Sequence, residues 1–390
     1  MKDWLSGLVK RRPPPEPPAA GVYHYQGTGP DNTPFRLHLR IEPDGRGVLV
    51  ANASTVLHLN PTAAEHAALY LQGFSEEAAA AWIASRYRVG RGRARRDTES
   101  LRDQIESLAG RRDQDPVVGL GLERAEPFAG ALTAPYRLDL ALTYRMDAHG
   151  RIDPLARRRV DRELSTDEWK QVLRKAWAAG IPHVTFTGGE PTLRSDLVDL
   201  VAEAEAIGQV AGLLTDGRRL ADPGFLQALS MAGLDHILLA LAQDDETSRT
   251  GLKQAIASPV FTAAHLTVTP AHALTLRATL DELKSWGLAA VSLSSESNSA
   301  TLVDALAVAR ERAAELGLEL VWDLPAPYSA NHPLRLEAPE SASGAGRGWL
   351  YVEPDGDVLP AQGVDKVLGN ILRDPWTVIW QHATAAEPAS

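Results

Sequence analysis

The chain contains no cysteine in 390 residues. That absence excludes disulfides. It also excludes ordinary iron-sulfur clusters, whose irons are held by cysteine thiolates and by histidine only in special cases. Long apolar runs are missing too: none approaches the roughly 18 residues that a membrane-spanning helix needs, and the first residues lack the apolar core of a secretory signal. The expectation is a cytoplasmic protein with no membrane partner. Positive charge is in deficit, with a formal net charge of -10. Nucleic-acid binding is disfavoured on that ground, because phosphate neutralisation needs a basic face; Arg86 to Arg96 is a local exception. There is no P-loop, no G-x-S-x-G elbow and no H-E-x-x-H motif. The segment TGGEPT, Thr187 to Thr192, lacks the Lys-Ser/Thr ending of a phosphate loop.

At 390 residues the chain is long enough for two or three domains of ordinary size, and its 44% of hydrophobic residues make a sizeable core available. Residues 1–22 hold the run KRRPPPEPP, read as a disordered tail because proline cannot occupy a helix interior. From Phe35 the pattern alternates, and residues 36–60 read as three short strands, with Asp44-Gly45 as one turn and Asn52 to Ser54 as another. Three helices follow. Asn60 caps the first with Pro61 at its first position, Ser75 caps the second, and Asp97 is expected to open the third, with Leu101, Ile105 and Leu108 on one face.

This winged-helix-like segment, residues 23–110, resembles the PQQ-synthesis protein D family, the RiPP recognition element. The resemblance rests on VLHLNPTAAEHAALYLQG, on a helix ending before an Arg/Tyr-rich turn, and on an Asp-led last helix. It implies capture of a leader peptide as an added strand, in a groove lined by Val56, Leu57, His58 and Leu59 and by Leu101, Ile105 and Leu108. Strand addition draws affinity from backbone hydrogen bonds and selectivity from alternate side-chain pockets. The competing reading makes the same apolar residues the module's own core.

Residues 111–135 read as a linker. Over residues 136–325 strand-like runs alternate with helical ones: LDLALTY (138–144), HVTFTGG (183–189), VAGLLTDG (210–217), HILLALA (236–242), AHLTVTP (264–270), AAVSLSS (289–295) and LELVWDL (318–324). The first intervening helix begins with Ser165 or Thr166 as its cap, and the helices end at glycines such as Gly180, Gly208, Gly287 and Gly317. Such repeats imply a parallel α/β sheet.

Residues Leu138 to Leu193 resemble the catalytic opening of a radical SAM enzyme with its cysteines removed. The family's C-x3-C-x2-C loop would fall on Met146, Gly150 and Asp153, whereas its GGE-P motif is intact as Gly188, Gly189, Glu190 and Pro191. The resemblance implies a partial barrel of six βα units with its functional rim at the strands' C-terminal ends. It further implies a [4Fe-4S] cluster and S-adenosylmethionine as cofactors, with the GGE motif holding the ligand's amino group. Thr215, Asp216 and Gly217 fall where the family has T-N-G, and Ser294, Ser295, Glu296 and Asn298 follow the sixth strand, where members contact cofactor or substrate; the other reading is a solvated loop. Glu190, Asp216 and Glu296 are candidate paired carboxylates. His149, Asp147 and Asp153 make a poor metal set without further partners.

Residues 326–383 resemble the SPASM or twitch extension of peptide-modifying members. GRGWLYVEPDGDVLPAQG reads as a hairpin turning at Pro354-Asp355-Gly356, and LGNILRDPWTVIWQHA as the usual ending. Ala361 stands where members carry a cysteine after proline, and Ser343 lies near the upstream place, so an auxiliary cluster is not expected. Residues 384–390 read as a tail.

These observations favour a cluster-less, non-catalytic relative that binds a leader or precursor peptide or a competent partner enzyme, with no cofactor expected. The alternatives are an enzyme retaining S-adenosylmethionine or another small molecule for non-radical chemistry, and nucleic-acid binding by the N-terminal module. Fold alone does not choose among them.

Overall fold

In a computed structural model the described residues are 15–28, 34–52, 55–110, 132–147, 159–297, 299–320 and 346–385. The chain divides into two compact units, Met1–Ala125 and Glu126–Ser390.

The first unit carries an antiparallel sheet of four strands in chain order: β1 (Gly21–Thr28), β2 (Pro34–Ile41), β3 (Gly47–Ala51) and β4 (Thr55–Leu59). The last three are those expected. β1 is not, and it starts inside the stretch read as a tail. It pairs with β2 along its whole length, from Gly21 opposite Ile41 to Thr28 opposite Pro34. Its apolar anchors are aromatic: Tyr25 lies 6.0 Å from the Phe35 ring and 5.5 Å from that of Tyr70. The turn into β4 uses Asn52 in the left-handed region at φ 51°, where its side chain accepts from the Arg36 N–H at 2.9 Å. Asparagine tolerates that conformation better than most residues.

Helices α1 (Pro61–Leu71), α2 (Glu76–Tyr87) and α3 (Arg91–Gly110) follow. Asn60 and Ser75 cap the first two through Ala63 N and Ala78 N. α3 begins at Arg91 rather than Asp97. Its extra turns are fixed by Ala94, fully buried against Ala79, Ala80 and Ile83 of α2, so tertiary packing outweighs the arginine-rich local sequence. Asp97 is not a cap but the partner of Arg93 one turn back.

The second unit is built on one open sheet of ten strands. β5 (Arg137–Thr143), β6 (His183–Gly188), β7 (Val210–Thr215), β8 (His236–Ala240), β9 (Phe261–Val268), β10 (Ala290–Ser295) and β11 (Glu319–Leu320) lie side by side in chain order, all parallel. Between them run α4 (Thr166–Ala178), α5 (Leu197–Ile207), α6 (Pro223–Met231), α7 (Glu246–Ala257), α8 (Leu276–Ser285) and α9 (Ala300–Glu315). Six βα units are thus present. Ser165 starts α4 through a complete capping box with Glu168, and Gly208 ends α5 at φ 93°, a left-handed cap that glycine adopts without strain.

Beyond β11 the described chain resumes with the hairpin of β12 (Trp349–Val352) and β13 (Asp357–Leu359), followed by β14 (Gly369–Asn370) and α10 (Trp376–Ala385). The turn is where the sequence placed it, with Gly356 at φ 90°. β12 joins the main sheet, parallel to β5, with Leu140 opposite Val352.

The outer face of the sheet and the inner sides of the helices share one apolar cluster that includes Leu140, Trp169, Phe186, Leu213, Ile237 and Leu266. The opposite face is mixed, with Thr185 and His265 beside a smaller apolar cluster of Leu214, Leu238, Ala240, Ala263 and Ala290. None of the described helices is long and apolar enough to cross a membrane.

Candidate functional site

The C-terminal ends of β5, β6 and β7 meet at one rim. Gly189 donates its N–H to Thr143 O at 2.7 Å and Glu190 donates to Arg145 O at 2.7 Å, so the GGE segment lies against the backbone that leads to Met146. Both glycines are demanded by this approach. A β-carbon on Gly188 would sit 2.2 Å from Thr143 O, and one on Gly189 would sit 2.2 Å from Arg145 O. Real side chains do not fit there.

The Glu190 carboxylate is directed into the protein and is 5% exposed. Oε1 accepts from Thr192 N at 3.0 Å, Thr192 Oγ1 at 2.5 Å and Thr215 Oγ1 at 2.8 Å; Oε2 accepts from Asp216 N at 2.7 Å. Burial, with the Asp216 charge as a second cause, pushes its carboxyl up to about 7. Asp216 itself is held by Arg218, which also reaches Asp245 at 2.8 Å. Thr215, Asp216 and Gly217 therefore act with Glu190 as one polar joint between the second and third βα units. Glu296 is an exposed residue after β10, and no contact among the described residues joins it to this pair.

Two further polar groups were not read from the sequence. Arg194, 9% exposed, grips Asp196 at 2.6 Å and reaches the carbonyl oxygens of Leu142 and Leu164. Glu163 lies 3.6 Å from Arg194 and 3.8 Å from Arg145. Beside them, Glu353 is 1% exposed. It accepts from Tyr144 OH at 2.8 Å and pairs with Arg159 Nε at 2.6 Å. Burial raises the Glu353 carboxyl, and the Arg159 bond opposes that rise. Tyr144 precedes and Arg159 follows the segment that holds Gly150 and Asp153, so one carboxylate bonds residues on either side of it.

Met146 is half-exposed on the rim. Gly150, Asp153, His149, Asn298 and Ser343 lie outside the described residues. Ala361 is buried just after Pro360. Ser294 stands at the end of β10 and meets His265 Nε2 at 3.1 Å, while His265 Nδ1 meets Ser292 Oγ at 3.0 Å. That histidine, 1% exposed, was not singled out. A [4Fe-4S] cluster does not fit this donor set: it needs thiolates, the sequence has none, and Met146 offers a thioether.

In the first unit, β4 is an edge strand. Leu57, Leu59 and Ile105 share one core cluster with Leu37 and Leu39, which is the core reading for those three. Val56, His58 and Leu101 are half-buried. Leu108 lies on α3, and its side chain is outside what is described. Leu101 and Ile105 also line a small cleft with Tyr70, Phe74 and Thr98, on the side of α1 and α2.

An open parallel βα sheet with a glycine-glycine-glutamate turn at its functional rim defines the class. Comparison gives the family: residues 144–261 match the model of the radical SAM superfamily. The chain is 32% identical over 290 residues to the PqqA peptide cyclase of Methylobacterium nodulans, covering 65% of this chain and 75% of that one. It is 29% identical over 296 residues to the PqqA peptide cyclase of Xanthomonas euvesicatoria, covering 66% and 75%. In fold it is similar to Streptococcus suis SuiB bound to S-adenosylmethionine, with a TM-score of 0.59 at 15% identity over 88% of this chain and 86% of that one. SuiB bound to the precursor peptide SuiA gives a TM-score of 0.55 at 13% identity, with the same coverage. The chain belongs to the radical SAM superfamily, among its peptide-maturing members.

Proposed function

We propose that this protein is a cluster-less radical SAM relative that binds a peptide, or a competent partner enzyme, without performing radical chemistry. The observation that carries the reading is the complete lack of cysteine in a chain that keeps the family frame, including the glycine pair packed on β5. Thiolate ligands are the means by which the family holds its cluster, and Met146, Gly150, Asp153 and Ala361 stand in their places. The names of similar proteins support a peptide as ligand: a peptide cyclase in sequence, and a structure with a precursor peptide in fold. We assign capture to the N-terminal module, resembling a RiPP recognition element, with edge strand β4 offering its unpaired backbone. We read residues 346–385 as a degenerate SPASM-like extension.

Reconstitution with iron and sulfide under anaerobic conditions tests the first half. The expected product is colourless and retains no iron after desalting. Stoichiometric iron with a broad band at about 400 nm would overturn the reading.

A second reading keeps S-adenosylmethionine at the rim for non-radical use. Its support is the intact Gly188 to Pro191 turn, where Gly189 remains half-exposed beside Met146 while Glu190 is taken up by internal bonds. Thermal denaturation with S-adenosylmethionine separates the two: a ligand at 100 times its dissociation constant adds about 2.7 kcal/mol, and no shift is expected under the first reading.

A further inference from the structure

Residues 86–96 contain six arginines and no acidic residue, in a chain whose net charge is -10. Structure sorts these arginines into two sets. Arg86 is a structural strut: it pairs with buried Glu65 at 2.8 Å and stacks 5.7 Å from the Trp82 ring and 5.6 Å from that of Tyr87. Arg93 and Arg95 are exposed and answered within α3 by Asp97 and Glu99. Arg88, Arg91 and Arg96 are exposed and meet no carboxylate among the described residues.

Two of the three are also placed against local preference. Arg88 adopts φ 53° and ψ 36° at the end of α2, a conformation that favours glycine. Arg91 opens α3, whose first turn holds no acidic residue, so its charge faces the positive end of the helix dipole. Exposed Tyr87 and Phe74, at 37% and 44%, lie on or just before α2. Folding gains little from such an arrangement. A partner of opposite charge gains from it.

We propose that the corner between α2 and α3 is a docking surface for an acidic polypeptide segment. The choice of polypeptide over nucleic acid rests on charge spacing. Asp97, Glu99, Glu76 and Glu77 flank the arginines and repel a continuous phosphate backbone, whereas separate guanidinium forks accept separate carboxylates bidentately. The inference goes beyond the edge-strand reading, since its residues lie on α2, α3 and their joint and none lies on β4.

The test uses the full chain and a fluorescein-labelled peptide of alternating glutamate and serine, with a glutamine-serine peptide as control, read by anisotropy. Saturable binding of the acidic peptide is expected, at least about tenfold tighter than the control, and weakened as NaCl rises from about 50 mM to about 300 mM. The combined Arg88→Asn, Arg91→Ser, Arg96→Ser variant should lose it at an unchanged melting temperature, because none of the three side chains holds the fold. Equal binding of both peptides, or full binding by the variant, overturns the proposal. So does a single-stranded oligonucleotide that binds more tightly than the acidic peptide and displaces it.

Discussion

The Asp216 N–H donates to Glu190 Oε2 across 2.7 Å, and this bond ties the end of β6 to the end of β7 through a carboxyl that burial drives toward its neutral form. The folded-state value lies above that of an exposed carboxyl. Its contribution is therefore fully present below the ordinary glutamate range, about 4.3, and is lost as pH rises through about 7. Unfolding free energies from denaturant melts at acidic and mildly alkaline pH should differ in that direction, by roughly 3 kcal/mol. Glu190→Gln should remove this part of the slope; a slope that persists in the variant would assign it elsewhere.

Gly189→Ala places a β-carbon 2.2 Å from Arg145 O. Neither backbone segment can yield without breaking the bonds at Gly189 and Glu190, so a loss of roughly 2 kcal/mol or more is expected. Gly92→Ala is the matching control. It lies in the first turn of α3 with only the Arg96 side-chain tip near, at 4.0 Å, and should gain up to about 1 kcal/mol from helix propensity. Urea melts of both variants check the contrast.

Arg159→Met leaves the Glu353 carboxylate buried beside Tyr144 without its cation. Removing one member of a buried pair typically costs about 3 to 5 kcal/mol. Tyr144→Phe removes one hydrogen bond and should cost about 1 to 2 kcal/mol. If the carboxylate holds Tyr144 and Arg159 together, limited proteolysis between residues 146 and 158 should quicken more for Arg159→Met than for Tyr144→Phe.

Ile105→Glu looks from the sequence like a selective probe of peptide capture. In the structure Ile105 is 2% exposed and shares a core with Leu37, Leu39, Leu57 and Leu59. Burying a charge there should unfold the first unit, read as loss of circular dichroism and rapid cleavage within residues 35–110. Val56 and His58, half-buried on the edge strand, are better sites for a capture assay.

Much of the fold is legible because its signals are local. Asn60, Ser75 and Ser165 cap where expected, Gly208 ends its helix in the left-handed region, and alternation marks the parallel strands. What escapes depends on distant partners. β1 exists because its aromatic side chains find Phe35 and Tyr70, and the first turns of α3 exist because Ala94 finds α2. At the site, the Gly188-Gly189-Glu190 turn is readable as a motif, but not the inward aim of its carboxylate. Glu353 and Tyr144 stand 209 residues apart, and neither announces the other.

The pairing of β12 with β5 sets the timetable of folding. β5 leaves the ribosome well before β12, and its free edge meets β12 only after the six intervening βα units have been made. At usual rates of synthesis the separation of 212 residues between paired positions such as Arg137 and Trp349 corresponds to a delay of roughly ten to forty seconds. Through that interval the first strand of the sheet presents unpaired backbone to any extended chain nearby, a known route to aggregation. Chains released before Trp349 never close this edge. Full-length product should be soluble in cells where such truncations collect in inclusion bodies or on chaperones.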